Sequence, residues 1–323
     1  MLRLISWITP AHITSFLILV ALILLFQGAS DRFLSPLNVS SFLAFSPELG
    51  IIALAMTLLV ISGEFDLSVG SVFALSPIVA GILVAHSGID LALAITLGLF
   101  AATAVGLLNA LFVIGFQISS FLVTLSTLMI VRGVCLYASD TFPLNGWDLT
   151  HPTYSWLAGS ISLGGVTVYA SLVWFIGLAL LVAYLLNSSQ LGNWIRAIGS
   201  NAAAGRARGI PVAGVKTFLF CLTATLAGLA GTISSFRIRT ASPISGTGYE
   251  LEVIAMVVVG GTALTGGRGY VLGTILGVIT LRIIRNGIVL MGIPGLAYNI
   301  FLGAIVLGML VVHSRILKMA GAR

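Results

Sequence analysis

Apolar stretches about as long as a bilayer is thick recur along almost the whole chain, and nothing else in the sequence narrows its fold so far. A helix needs about 20 apolar residues, rising 1.5 Å each, to cross about 30 Å of hydrocarbon. The candidate spans are 13–27, 42–62, 67–86, 91–115, 119–138, 167–187, 216–235, 250–265, 271–289 and 296–313. The shorter ones either extend into flanking polar residues or are interrupted helices. A water-soluble alternative fails on composition. Of 323 residues, 59% are hydrophobic and 7% charged, against about 25% charged in an average soluble domain. That leaves too little polar surface to cover so large an apolar core. The 37 glycines and nine prolines suit membrane helices, where small residues let backbones approach and neighbours repair broken hydrogen bonds.

The sequence therefore predicts an all-α fold, a polytopic transmembrane helical bundle of about ten spans, as a single domain over 1–323 with a loop at 188–216. The run 13–27 follows Arg3 and is read as a retained span rather than a signal peptide. No small-residue cleavage site follows it, since Gly28-Ala29-Ser30 passes directly into Asp31-Arg32.

Basic residues set the orientation. Segment 188–216 carries Arg196, Arg206, Arg208 and Lys216 and no acid, and the tail carries Arg315, Lys318 and Arg323. Both are expected on the cytoplasmic side, which puts the N- and C-termini in the cytoplasm. Segment 139–166 has Asp140, Asp148 and His151 but no Lys or Arg. It is expected outside, with Trp147, Tyr154 and Trp156 near the lipid headgroups. Arg237 and Arg239 fall outside on this scheme, against the usual bias. The net charge of +6 reflects membrane orientation and calls for no nucleic acid.

The chain lacks the residues for several kinds of chemistry. Its two lysines, Lys216 and Lys318, follow Val215 and Leu317. Neither completes the Gly-Lys-Ser/Thr loop that cradles ATP phosphates, so any ATP hydrolysis belongs to another chain. Cys135 and Cys221 lie in apolar runs and read as small core residues. His12, His86, His151 and His313 are scattered at span ends and form no metal set. No cofactor or metal is expected in this chain.

Charges inside or beside apolar runs are the informative ones, because an ionised residue at a helix centre costs roughly 2.5–3.5 kcal/mol on insertion scales. Gly63-Glu64-Phe65-Asp66-Leu67-Ser68-Val69-Gly70 places two carboxylates between spans, flanked by glycines that permit unwound backbone. It reads either as an ordinary short loop or as part of a wet pathway. Glu250, in Gly246-Thr247-Gly248-Tyr249-Glu250-Leu251-Glu252, either offsets the positive end of the following helix or lines the same pathway. Around 201–208, Asn201 is a suitable N-cap, three alanines favour helix, and Gly209 with Pro211 stops it. That describes a short inner-face helix fit to dock in a groove of a cytoplasmic partner, beside the plainer reading of a positive-inside loop.

Several ordered motifs resemble the permease subunits of ribose-type ATP-binding-cassette sugar importers, a family that extends to branched-chain amino-acid permeases. They are Asp66-Leu67-Ser68-Val69-Gly70-Ser71; Asn109; Phe121-Leu122-Val123-Thr124-Leu125 with Arg132-Gly133; and Ala197-Ile198-Gly199 with Asn201, Ala204, Arg206, Gly209 and Ile210. Gly246-Thr247-Gly248-Tyr249-Glu250-Leu251, Gly260-Gly261-Thr262 and Gly266-Gly267-Arg268-Gly269 complete them. The departures are Glu64-Phe65 where Gly-Ile is frequent, Glu252 where Asp is usual, and Ala202-Ala203 where an acid is often found.

The resemblance implies a translocation pathway for a monosaccharide or related polar solute in the bacterial inner membrane. The partners it implies are a cytoplasmic ATPase subunit that binds ATP-Mg, a periplasmic or lipid-anchored solute-binding protein, and a second permease copy or homologue. Candidate pathway or gate residues are Glu64, Phe65, Asp66, Ser68, Asn109, Thr124 and Glu250; candidate coupling residues are Asn201, Arg206, Arg208 and Gly209. The rival readings are an ion-coupled transporter using Asp66, Glu250 and Glu252, a membrane-embedded enzyme, and the same importer carrying a branched-chain amino acid.

Overall fold

The computed structural model describes residues 10–305 and 307–308. The tail arginines and lysine, His313 and part of the span expected at 296–313 lie outside the described residues. The long helices are α1 (Pro10–Ala29), α2 (Pro36–Ile61), α3 (Val69–Ser87), α4 (Leu91–Ala110), α5 (Ser120–Ala138), α7 (Ala170–Ser188), α10 (Val212–Arg237) and α12 (Val271–Leu290). Shorter ones are α6 (Pro152–Ala158), α8 (Gln190–Ser200), α9 (Ala202–Ala207) and α11 (Tyr249–Val259). Among the described residues, seven helical segments are long and apolar enough to cross a membrane: α2, α3, α4 with the π-helical turn Leu111–Gly115 that continues it, α5, α7, α10 and α12.

The architecture is centred on α2. Ser35 accepts a hydrogen bond from the Asn38 amide, and Pro36 takes the first helical position, where no amide partner is needed. Buried continuously from Ser46 to Ile61, α2 packs against α7, α10, α11 and α12. A second layer of α3, α4 and α10 is tied by backbone-close contacts. A Cβ on Gly231 of α10 would overlap the Phe73 carbonyl of α3, so only glycine permits this approach. By contrast, α5 and α7 leave most of their apolar surface outward, as helices facing lipid do.

Three features depart from the sequence expectation. The run 250–265 is not one span: α11 ends at Val259. Gly261 turns left-handed at φ 85°, its amide bonds Val258 O at 2.8 Å, and the Thr262 amide bonds Val257 O at 3.2 Å. That pair of bonds is a Schellman stop, and eleven residues cover only about half the hydrocarbon thickness.

Segment 139–166 and its flank are not purely helical either. β2 (Ser160–Leu163) and β3 (Val166–Tyr169) form a hairpin, and β1 (Leu144–Asn145) pairs antiparallel with β4 (Thr240–Ala241). Gly164 and Gly165 both adopt positive φ, as a tight primed hairpin turn requires. Finally, Trp147 is buried, its ring 4.6 Å from Phe236; only Trp156 of the expected headgroup aromatics is strongly exposed.

Arg237, one of the two arginines that depart from the charge bias, has a local partner. It donates to both carboxylate oxygens of Glu48 at 2.8 and 3.2 Å and lies 4.1 Å over the Phe45 ring. Its charge is matched inside the fold.

Candidate functional site

The site begins where α2 stops. Gly63 adopts φ 88°, its amide bonds Val60 O at 2.9 Å and the Glu64 amide bonds Leu59 O at 3.2 Å. This is the same stop that ends α11. The chain then folds back, and Asp66 organises the return. Asp66 Oδ1 accepts from the Ser68 amide at 2.7 Å and the Ser68 hydroxyl at 2.6 Å. Asn109 of α4 donates to Asp66 Oδ2 at 3.2 Å and to Ser68 Oγ at 3.0 Å. Thr124 of α5 accepts the Leu67 amide at 3.0 Å.

Asp66, Ser68, Asn109 and Thr124 are all fully buried. Four of the seven predicted pathway residues thus form one hydrogen-bonded knot joining the turn to α4 and α5. No ion pair among the described residues involves Asp66. The Asn109 carbonyl oxygen is buried without a partner, so the knot has unused acceptor capacity.

Glu64 and Phe65 face the other way, into a cavity of about 880 Å³ that Gln117, Ser119, Arg206 and Lys216 also line. Lys216 near the start of α10 bridges Glu64 at 2.5 Å, and Phe65 meets Phe121 edge-on at 6.2 Å. Glu250 belongs to neither group. It lies in the first turn of α11, against Gly70. There Arg132 of α5 donates to the carbonyls of Gly70, Pro243 and Ser245 at 2.9, 2.5 and 2.8 Å. Asp66 and Glu250 therefore approach the beginning of α3 from different sides.

The coupling residues occupy α9 and its caps. Asn201 accepts the Ala204 amide at 3.0 Å. Gly209 turns left-handed at φ 81°, and the Gly209 and Ile210 amides close the helix on Arg206 O and Gly205 O at 3.0 and 3.1 Å. Asn201, Arg206, Arg208 and Gly209 are exposed. Just before α9, Gly199 of α8 sits against Ile61 O, which also accepts the Gly267 amide at 2.8 Å. The segment carrying α9 therefore abuts the last residue of α2, two positions before the turn.

Sequence reasoning did not assign Lys216 or Arg132 a place here. The signal for Arg132 was a charge inside an apolar run; nothing local marks Lys216 as the partner of Glu64. Glu252, offered as an ion site, is already engaged: Arg282, Arg285 and Tyr298 reach it at 3.4, 3.3 and 3.2 Å.

The family described as the permease component of branched-chain amino acid transport systems matches residues 38–310. The chain belongs to this permease family. The ribose import permease protein RbsC of Escherichia coli (strain K12) is 34% identical over 295 residues, covering 91% of this chain and 90% of the relative. RbsC of Bacillus subtilis (strain 168) is 35% identical, covering 90% and 89%. The xylose/arabinose import permease protein XylH of Sulfolobus acidocaldarius is 29% identical, covering 92% and 83%. As a member of the permease family, the chain is a multi-pass inner-membrane transport subunit, which sets aside the membrane-enzyme reading. In this permease, the 63–68 turn and α9 line one cavity, through Gly63, Glu64 and Phe65 on one side and Ala202 and Arg206 on the other.

Proposed function

We propose that this permease forms the route for a monosaccharide through an ATP-binding-cassette importer. A cytoplasmic ATPase subunit binds ATP-Mg and seats α9, an extracytoplasmic binding protein delivers the sugar, and a second permease completes the channel. The observation that carries the coupling role is the contact of α8 and the 266–267 turn with Ile61. A push on α9 reaches the end of α2 through Asn201 and α8, whose Gly199 packs on Ile61 O, and coupling needs contiguous elements that change state together. The sugar assignment rests on the relatives named for ribose and for xylose and arabinose. The pathway role of the Asp66 knot rests on its buried polar groups at the start of α3. We also read both termini as cytoplasmic, because the basic loop 188–216 and the 63–68 turn lie together; with 250–265 counted as part of a broken crossing rather than a helical span, the chain crosses about ten times.

Arg206→Glu tests the coupling. The isolated chain is expected to hydrolyse no ATP. With the ATPase and binding protein added, wild type should show stimulated hydrolysis and uptake of a labelled pentose, while Arg206→Glu inserts normally and loses stimulation. Normal assembly, stimulation and uptake in the variant would return Arg206 to the role of a simple inward-holding charge.

A further inference from the structure

Two guanidinium groups share one carboxylate within the membrane-spanning part of this protein. Arg282 and Arg285 lie in the second half of α12, a helix apolar enough to cross a bilayer. Glu252 is the acid they share, at 3.4 and 3.3 Å through one nitrogen each. Charge-assisted bonds of this kind normally close to about 2.7–2.9 Å and often form two at a time. An arginine carries five N–H donors, so most of theirs are not used by Glu252.

The nearby Glu48 does not supply the missing charge, because its two oxygens are bound by Arg237. Three arginines thus face two glutamates, an excess of one positive charge that falls on Arg285, whose side chain is 39% exposed and lies 5.2 Å over the Tyr298 ring. The same two arginines line a cavity of about 320 Å³ between α2, α11 and α12, with Ser41 at its exposed side and Phe42, Phe45 and Tyr249 among its walls. Asn286 also lines it, but its amide exchanges hydrogen bonds with Asn38, leaving the guanidinium groups as the cavity's chief donors.

We propose that this cavity binds a phosphate-class oxyanion between Arg282 and Arg285. One negative charge with several acceptor oxygens completes the donor set and cancels the local excess. The phosphate of an anionic lipid headgroup and a free phosphate ion present the same chemistry, and the aromatic walls would accept the glycerol and upper acyl carbons of the lipid.

The test uses the full-length protein, purified and stripped of lipid, as wild type, Arg285→Gln, Arg285→Lys and Ser41→Phe. The last obstructs the cavity side without touching an ion pair. Phosphatidylglycerol retention is read by native mass spectrometry, and thermal stabilisation by inorganic phosphate is measured separately. Retention that falls about tenfold in Arg285→Gln, the scale of one charge-assisted bond, falls also in Ser41→Phe and is largely kept in Arg285→Lys identifies the lipid. The same pattern for inorganic phosphate alone identifies the free ion. If wild type binds neither probe, or all variants bind as wild type does, the proposal is overturned and the three side chains are a structural ion triad. Should Arg285→Gln fail to insert, Ser41→Phe against wild type separates the same outcomes. The measurement involves no transport, so its failure leaves the sugar-importer reading untouched.

Discussion

Two ion pairs pin α2 to α10 at opposite ends, and their surroundings differ. Glu48, in the first half of α2, holds Arg237, the last residue of α10; their side chains are 1% and 8% exposed. Glu64, just beyond the end of α2, holds Lys216 near the start of α10; these are 15% and 16% exposed, at the wall of the 880 Å³ cavity. At the Glu48 end the guanidinium makes two bonds and covers an aromatic ring, as a permanent structural tie would. At the Glu64 end a single flexible ammonium reaches across water-accessible space, and a break there leaves both ions able to hydrate. The same pairing chemistry therefore gives a sealed end and a less buried end at a cavity wall, and the less buried end is the one beside α9.

The largest effect should come from breaking the buried end. Arg237→Gln leaves the buried Glu48 carboxyl without its counter-ion, a loss that costs about 3–5 kcal/mol in buried pairs. We expect low yield in the membrane and a sharply lowered Tm. Replacing both residues, as Glu48→Leu with Arg237→Met, should recover much of the yield; equal failure of the single and double variants would locate the defect in packing rather than charge. Lys216→Gln should cost less than Arg237→Gln, because Glu64 at the cavity wall is more exposed than Glu48, and should be visible as a smaller Tm change with normal insertion. Its expected signature is functional: reduced ATPase stimulation in the assembled complex. Unaltered stimulation would show that the Glu64 end is as passive as the Glu48 end.

The smallest effect extends the comparison to an exposed pair, Asp90 with His151 at 3.2 Å. The Leu93 amide first, then His151 and the Ala92 amide, hold the Asp90 carboxyl below its ordinary range. A depressed carboxylate contributes stability that is present above its unfolded pKa and lost as pH falls through its folded value. Asp90→Asn keeps the helix cap, so thermal scans should show a slight deficit near neutral pH that shrinks as the pH drops below the carboxylate range. A deficit that persists in acid would assign it to the cap geometry.

Helix positions were readable because apolar length is a local property, and so were the stops at Gly63 and Gly209. The end of α11 was not. Val257-Val258-Val259 reads as continuing hydrophobicity, and hydropathy does not report that Gly261 turns left-handed. The Asp66 motif was visible as a motif, but its union with Asn109 and Thr124 on two other helices was not. Trp147 looked like a headgroup aromatic because its burial depends on Phe236, far along the chain.

The sequence by itself determined that this chain resides in a membrane, that it lacks an ATP-binding loop, and that its basic segment 188–216 carries a capped helix. Each follows from composition or from residues within a few positions of one another. Only the tertiary structure decided which charges are matched: Glu48 with Arg237, Glu64 with Lys216, and Glu252 with two arginines. The physical reason is that a charge in low dielectric is governed by whatever lies within a few ångströms, and those neighbours come from helices that only packing brings together.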